Sequence, residues 1–255
     1  MDALKVGPYT LKSRLILGTG KYPDFETMKR AFAAAEVDCV TVAVRRVDFN
    51  AKETVLDHID RAHIQLLPNT AGCYSIEDSL RTARLARELL DTDLIKLEVI
   101  ADDKTLLPDP IATLEATKVL VAEGFVVMAY TSDDPVLARH LEKAGAAAVM
   151  PLGSGIGTGQ GILNPQNIRI IVDTLSVPVI VDAGVGTASD VAIAFELGVS
   201  GVLLNTGVAA AKDPERMARA MKLGAHAGFE AYHAGRMPKR PWAHASSPTS
   251  GRIHA

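Results

Sequence analysis

The chain is poor in cysteine, in aromatic residues and in any excess of one charge. Its 255 residues hold two cysteines, Cys39 and Cys73, and a single tryptophan, Trp242. Two cysteines make no disulfide framework and fit a reducing compartment, so a cytoplasmic protein is expected. Cys39 falls in an apolar run and reads as a small core residue. Cys73 follows Ala71-Gly72 in a loop, has no sequence neighbour that would lower its pKa, and reads as inert. With 27 Lys and Arg against 30 Asp and Glu, the net charge is −3, which leaves no basic field for nucleic acid. No apolar run is long enough to span a bilayer, and Met1-Asp2-Ala3-Leu4-Lys5 lacks the apolar stretch of a signal peptide. The histidines form no HExxH or other metal-ligand spacing. His58, His63, His140 and His226 read as helix-surface or packing residues, and no metal is expected.

What the chain has in quantity is aliphatic sequence, cut into short runs. These are Arg14–Gly18, Cys39–Arg45, Ile64–Asn69, Asp93–Ile100, Phe125–Thr131, Ala146–Pro151, Pro178–Asp182 and Ser200–Asn205. Helical patterns separate most of them, which implies parallel strands joined by crossovers. Eight such units in a chain of about this length predict one closed (β/α)8 barrel over residues 1–255. The interval Arg46–His63 has the weakest helical pattern, with Val55, Leu56 and Ile59 after a polar stretch. Lys5–Ser13 contains Gly7-Pro8 and reads as a hairpin plugging the bottom of the barrel. Residues 238–255 are rich in Ser, Pro and Gly and read as a flexible tail, or one docked elsewhere through Trp242.

Helix starts are marked as clearly as the strands. Asp109-Pro110, Asp134-Pro135, Asn164-Pro165 and Asp213-Pro214 each set an N-cap oxygen before a proline at the first helical position. Ser75–Asp78 and Thr187–Asp190 have capping-box spacing. These starts all follow strands, so they gather at the end of a barrel where enzymes place their sites.

Against this apolar background Lys96 stands out. In Leu94-Ile95-Lys96-Leu97-Glu98-Val99-Ile100, Lys96 and Glu98 fall on one strand face. A strand covered by helices has no solvated face, and Lys and Glu are rarely buried without a partner or a purpose. An edge strand with a solvated Lys–Glu face is the alternative. A buried lysine that loses its proton can attack a ketone to give an imine, and nearby carboxylates can supply the proton transfers. Glu98 is one candidate, or else a structural ion pair; Asp182, ending Val179-Ile180-Val181, is another, or else a turn residue before Ala183-Gly184.

Glycines mark an anion site at the same end. They lie in Gly153–Gly161 after the sixth strand and Ala183–Thr187 after the seventh, with Asn205-Thr206-Gly207 ending the eighth. Glycine lets backbone amides approach a phosphate, and barrels bind phosphate near the seventh and eighth strands. The first run is no dinucleotide fingerprint, because Thr158 or Gln160 occupies the third glycine position. A mobile lid is its other reading. Arg45-Arg46 reads as an exposed pair at a strand end or as a contact for phosphate or carboxylate.

The motifs Ser13–Tyr22, Thr41–Arg46, Leu67–Gly72, Ile95–Val99, Val149–Gly153, Val181–Gly184, Leu204–Thr206 and Ser246–Pro248 resemble, in order, those of bacterial thiazole synthases of thiamin biosynthesis. Gly155 stands where that family usually has proline, Thr158 where it has serine and Gly207 where it has alanine. The resemblance implies a barrel enzyme whose Lys96 forms an imine with 1-deoxy-D-xylulose 5-phosphate, with Glu98 and Asp182 as acid–base carboxylates. It implies sugar-phosphate contacts at Gly157, Ala183, Gly184, Asn205 and Thr206. It implies sulfur delivery from the thiocarboxylate of a ubiquitin-like carrier protein, and dehydroglycine from a partner enzyme. A homotetramer with no metal or organic cofactor is expected. A Schiff-base aldolase and a non-catalytic phosphosugar-binding barrel are the rival readings.

Overall fold

A computed structural model describes residues 1–47 and 51–247. The eight expected strands all form and pair in parallel. They are β3 (Leu15–Gly18), β4 (Cys39–Ala43), β5 (Gln65–Asn69), β6 (Leu94–Leu97), β7 (Val126–Thr131), β8 (Ala148–Pro151), β9 (Ile180–Asp182) and β10 (Gly201–Leu204). Their order around the sheet is β8-β7-β6-β5-β4-β3-β10-β9. The ring closes where Val149 of β8 pairs with Val179 just before β9. The fold is therefore the (β/α)8 barrel. A short antiparallel hairpin, β1 (Leu4–Val6) with β2 (Tyr9–Leu11), precedes it.

The period-two alternation of the strands builds the barrel in layers. Ile16, Cys39, Leu67, Leu94, Met128, Ile180 and Leu203 form an apolar interior cluster with Leu4, Val6 and Leu11 of the hairpin, which thus plugs the bottom. The intervening residues, such as Leu17, Val40, Ile95, Val127, Val149 and Val181, point outward into a second cluster beneath the helices. Two residues further along the inward faces come Gly18, Thr41, Asn69, Lys96, Asp182 and Asn205, which line the open end. The same alternation that buries the floor thus places polar groups above it. Burial pushes the Cys39 thiol well above its ordinary value, as its place in the apolar layer requires.

The helices are α1 (Phe25–Ala35), α2 (Ile76–Leu90), α3 (Pro110–Ala122), α4 (Pro135–Lys143), α5 (Pro165–Thr174), α6 (Ala188–Glu196), α7 (Thr206–Ala209) and α8 (Pro214–Ala234). All four Asx-Pro starts cap as expected. Asp109 accepts from the amides of Ile111 and Ala112, both at 2.9 Å, and Asp213 accepts from Arg216 at 3.0 Å. No helix among the described residues is long and apolar enough to cross a membrane.

Three details differ from the sequence reading. β4 stops at Ala43, and Val44–Arg46 form a 3-10 turn that carries the Arg45 guanidinium to the Gly72 carbonyl at 2.7 Å and Cys73 Sγ at 3.4 Å. The weak interval between β4 and β5 forms, among its described residues, only a 3-10 turn, Val55–His58, capped by Thr54 and Asp57. Val47 and Val55, both of this interval, line the barrel mouth. β6 ends at Leu97 rather than Ile100, because the Thr70 side chain takes over its pairing at Glu98. Of the tail, residues 235–247 are exposed and form neither helix nor strand; Pro248 and residues 249–255 lie outside the described residues.

Candidate active site

The inward positions of β6 and β9 meet across the open end. Lys96 Nζ lies 2.5 Å from Asp182 Oδ2 and 3.0 Å from Glu98 Oε1. Lys96, Glu98 and Asp182 are all buried, which removes the edge-strand alternative for Lys96. Asp182 Oδ2 has no hydrogen-bond partner besides this ion pair among the described residues. Such a cluster is costly to desolvate, and the contact of both carboxylates with the one ammonium offsets part of that cost.

The electrostatics follow from two carboxylates around one ammonium. Burial pulls the Lys96 pKa down, but Asp182 and Glu98 together outweigh it, so the lysine is held above its ordinary value. Burial pushes Asp182 up to about 6; Lys96 opposes that rise and the Glu98 charge adds to it. One cation cannot neutralise two anions, so Asp182 is poised to exchange a proton near neutrality. The ring of Tyr130, on the inward face of β7, lies 5.6 Å from Lys96 Nζ. Its hydroxyl is buried with no partner among the described residues. Burial, then the charges of Asp182 and Glu98, push the phenol pKa upward and keep it protonated.

The glycine loops form the other wall. Gly153–Gly161 is stitched to the loop after β9: the Gly153 amide donates to the Ala183 carbonyl at 3.3 Å, and the Gly161 amide to Gly184 at 2.8 Å. Ala183 and Gly184 both have left-handed backbone, at φ +78° and +80°. A Cβ on Gly184 would collide with Ser154 Oγ, so glycine is required there for close approach as well as for conformation. The Gly186 and Thr187 amides are committed to Asp190 Oδ2 at 2.9 and 3.1 Å. Beside them, Asn205 leads into the short helix α7, whose first amides have no intrahelical acceptor. Asn205 Oδ1 is buried without a partner among the described residues.

One cavity of about 810 Å³ holds all eight predicted site residues: Lys96, Glu98, Asp182, Gly157, Ala183, Gly184, Asn205 and Thr206. Arg46 lines it too, whereas Arg45 is used on the β5 loop. Cys73 is fully buried beneath that loop. His58 stacks on Phe25 at 4.2 Å and His63 pairs with Asp60 at 2.7 Å, both packing or surface roles. Sequence reasoning missed three participants. Tyr130 sits in a run that reads as core, Thr70 in what reads as a loop, and Gly18 ends a strand without a distinguishing pattern. A Cβ at Gly18 would come within 2.6 Å of Asn205 Cβ, so this glycine sets where Asn205 stands.

Residues 5–248 match the family model described as thiazole biosynthesis protein ThiG. The chain belongs to that family. It is 58% identical to the thiazole synthase of Geotalea uraniireducens over 99% of this chain and 98% of the relative. It is 57% identical to that of Thermodesulfovibrio yellowstonii over 99% of each chain. Among solved structures, the Amycolatopsis orientalis BexX/CysO complex matches with TM-score 0.86 and 32% identity, over 95% of this chain and all of the matched one. The barrel described above is thus that of an enzyme, a thiazole synthase of thiamin biosynthesis.

Proposed function

We propose that Lys96 forms an imine with the ketone of 1-deoxy-D-xylulose 5-phosphate while the Gly157, Ala183, Gly184, Asn205 and Thr206 region holds its phosphate end. The observation that carries this reading is Lys96 Nζ at 2.5 and 3.0 Å from two buried carboxylates on the wall of an open cavity. A proton moved from Nζ to Asp182 Oδ2 leaves a neutral amine and a neutral carboxyl, with Glu98 the one remaining anion. The amine then adds to the ketone, and water leaves once its oxygen is protonated. Asp182, near 6, suits that donation and the later removal of a proton from carbon as the imine rearranges to an aminoketone. Glu98 serves as the second base. Asn205 Oδ1, without a partner among the described residues, accepts from a sugar hydroxyl.

Sulfur then arrives from the thiocarboxylate of a ubiquitin-like carrier protein, and dehydroglycine from a partner enzyme completes the ring. The cavity exceeds what one pentulose phosphate fills, and the mouth beside Val47 and Val55 leaves room for an extended tail. That the related BexX was crystallised with a second protein, CysO, supports a docking surface here. A homotetramer in the cytoplasm, needing no metal or organic cofactor, completes the proposal.

A reconstituted mixture of enzyme, sugar phosphate, carrier thiocarboxylate and a dehydroglycine source is expected to yield thiazole phosphate carboxylate, read by mass spectrometry. Cleavage of the sugar's carbon chain with no thiazole formed would favour a Schiff-base aldolase, and thiazole formed without the carrier would remove the carrier as the sulfur source. Gly18→Ala should displace Asn205 and raise the KM for sugar phosphate about tenfold or more, with a smaller change in kcat. An unchanged KM in steady-state kinetics would remove Asn205 from the sugar site.

A further inference from the structure

Strand β6 is joined to β5 by an unusual device. The two strands share one register pair, Asn69 with Lys96. Beyond it the Thr70 amide donates to the Lys96 carbonyl at 3.2 Å. The Thr70 hydroxyl then accepts from the Glu98 amide at 2.7 Å and donates to the Glu98 carbonyl at 2.8 Å. One side chain thus satisfies both backbone groups of Glu98. A backbone partner in a ladder offers these two functions from separate atoms, and a hydroxyl combines them at a strand end. Thr70 is fully buried, so no solvent competes for these bonds.

From this geometry we infer that Thr70 is a positioning residue, which clamps the Glu98 backbone so that its carboxylate reaches Lys96. The inference rests on Lys96 and Glu98 being the reacting pair proposed above. Thr70 lies one residue after Asn69, the register partner of Lys96, so it fixes both the lysine's strand and the carboxylate that follows. Glu98 lies beyond the last residue of β6 and has no ladder of its own to hold it. The charged or titratable groups facing Lys96 are Glu98, Asp182 from β9 and Tyr130 from β7. Thr70 is the only one of the residues discussed that acts on Glu98 through its backbone alone.

The consequence has a sign. Asp182 and Glu98 hold Lys96 protonated against its burial. If Glu98 swings away, one of those two opposing influences is lost, and Lys96 deprotonates at lower pH. The test is a series of full-length variants, Thr70→Ser, Thr70→Cys and Thr70→Val. Acylation of Lys96 in the free enzyme by a small amine reagent is followed across pH by peptide mass spectrometry, beside steady-state turnover. Thr70→Val is expected to move the Lys96 profile down by about one pH unit or more. Its kcat should fall about tenfold or more, with the sugar-phosphate KM nearly unchanged. Thr70→Ser should follow the parent, and Thr70→Cys, a weaker donor and acceptor, should lie between. Thr70→Cys keeps the test decisive if Thr70→Val does not fold. A Thr70→Cys or Thr70→Val profile that superimposes on the parent would overturn the inference, as would a Thr70→Ser profile displaced as far as Thr70→Cys. Because acylation needs no substrate, this result stands apart from whether the proposed sugar is the right one.

Discussion

Lys96→Arg is expected to leave a folded protein whose thiazole formation is lower by about four orders of magnitude or more. A guanidinium keeps the charge that Asp182 and Glu98 surround, so the buried cluster retains its counter-ion. The cavity beside Nζ has room for the larger head. What arginine cannot do is lose its proton near neutral pH, so it cannot attack a ketone. Lys96→Met removes charge and nucleophile together and should behave differently. Breaking a buried pair from one side costs about 3–5 kcal/mol, and here it would leave two carboxylates facing each other. One of them must take up a proton, so Lys96→Met should be less stable at alkaline than at acidic pH. Comparing the two variants separates the chemistry of Lys96 from its part in holding the barrel together. Thermal unfolding and turnover of the same preparations make the comparison. A non-catalytic phosphosugar-binding barrel predicts that both variants still bind sugar phosphate and that nothing else is lost.

The second large effect concerns proton transfer. Turnover of the parent is expected to rise with pH through a limb at about 6, the value to which burial lifts Asp182. Glu98 contributes to that lift through its negative charge. Glu98→Gln keeps the shape of the side chain and removes the charge. Asp182 should then ionise at lower pH, and the acid limb should move down. Turnover at the optimum should fall about 100- to 1000-fold, within the range for loss of one acid–base group. Sugar-phosphate binding should be nearly intact, because in the proposed mode the phosphate end lies at the loops after β8 and β9 and the start of α7, which line the same cavity. A pH–rate profile of Glu98→Gln that keeps both the parent's height and its limb would reduce Glu98 to a structural partner of Lys96.

The barrel and much of its chemistry were legible because both follow from short-range rules. Alternation along the strands announces which residues face inward, and Asx-Pro pairs announce where helices start. Lys96 is conspicuous because a charge interrupts an apolar run, and Asp182 because it ends one. The features that escaped depend on what comes from elsewhere in the chain. Thr70 looks like a loop residue until β6 lies beside it and presents the Glu98 amide and carbonyl. Tyr130 belongs to a run that is apolar on both faces, and only the ring of neighbouring strands shows that its side chain meets Lys96. Gly18 matters because Asn205, which is distant in sequence, packs onto its missing side chain. The early end of β4 has the same origin, since Arg45 leaves the sheet to bind the loop after β5. The amides of Gly153 and Gly161 donate to the carbonyls of Ala183 and Gly184, contacts between loops that spacing along the chain does not announce.

The central claim is that Lys96 Nζ becomes the nitrogen of an imine. Adding borohydride to the enzyme with 1-deoxy-D-xylulose 5-phosphate tests it most directly, because reduction fixes the sugar onto whichever lysine holds it. Peptide mapping by mass spectrometry should place one sugar adduct on the peptide containing Lys96, and none on that peptide in Lys96→Arg. An adduct confined to another lysine, or no adduct while the same preparation makes thiazole, would contradict the account.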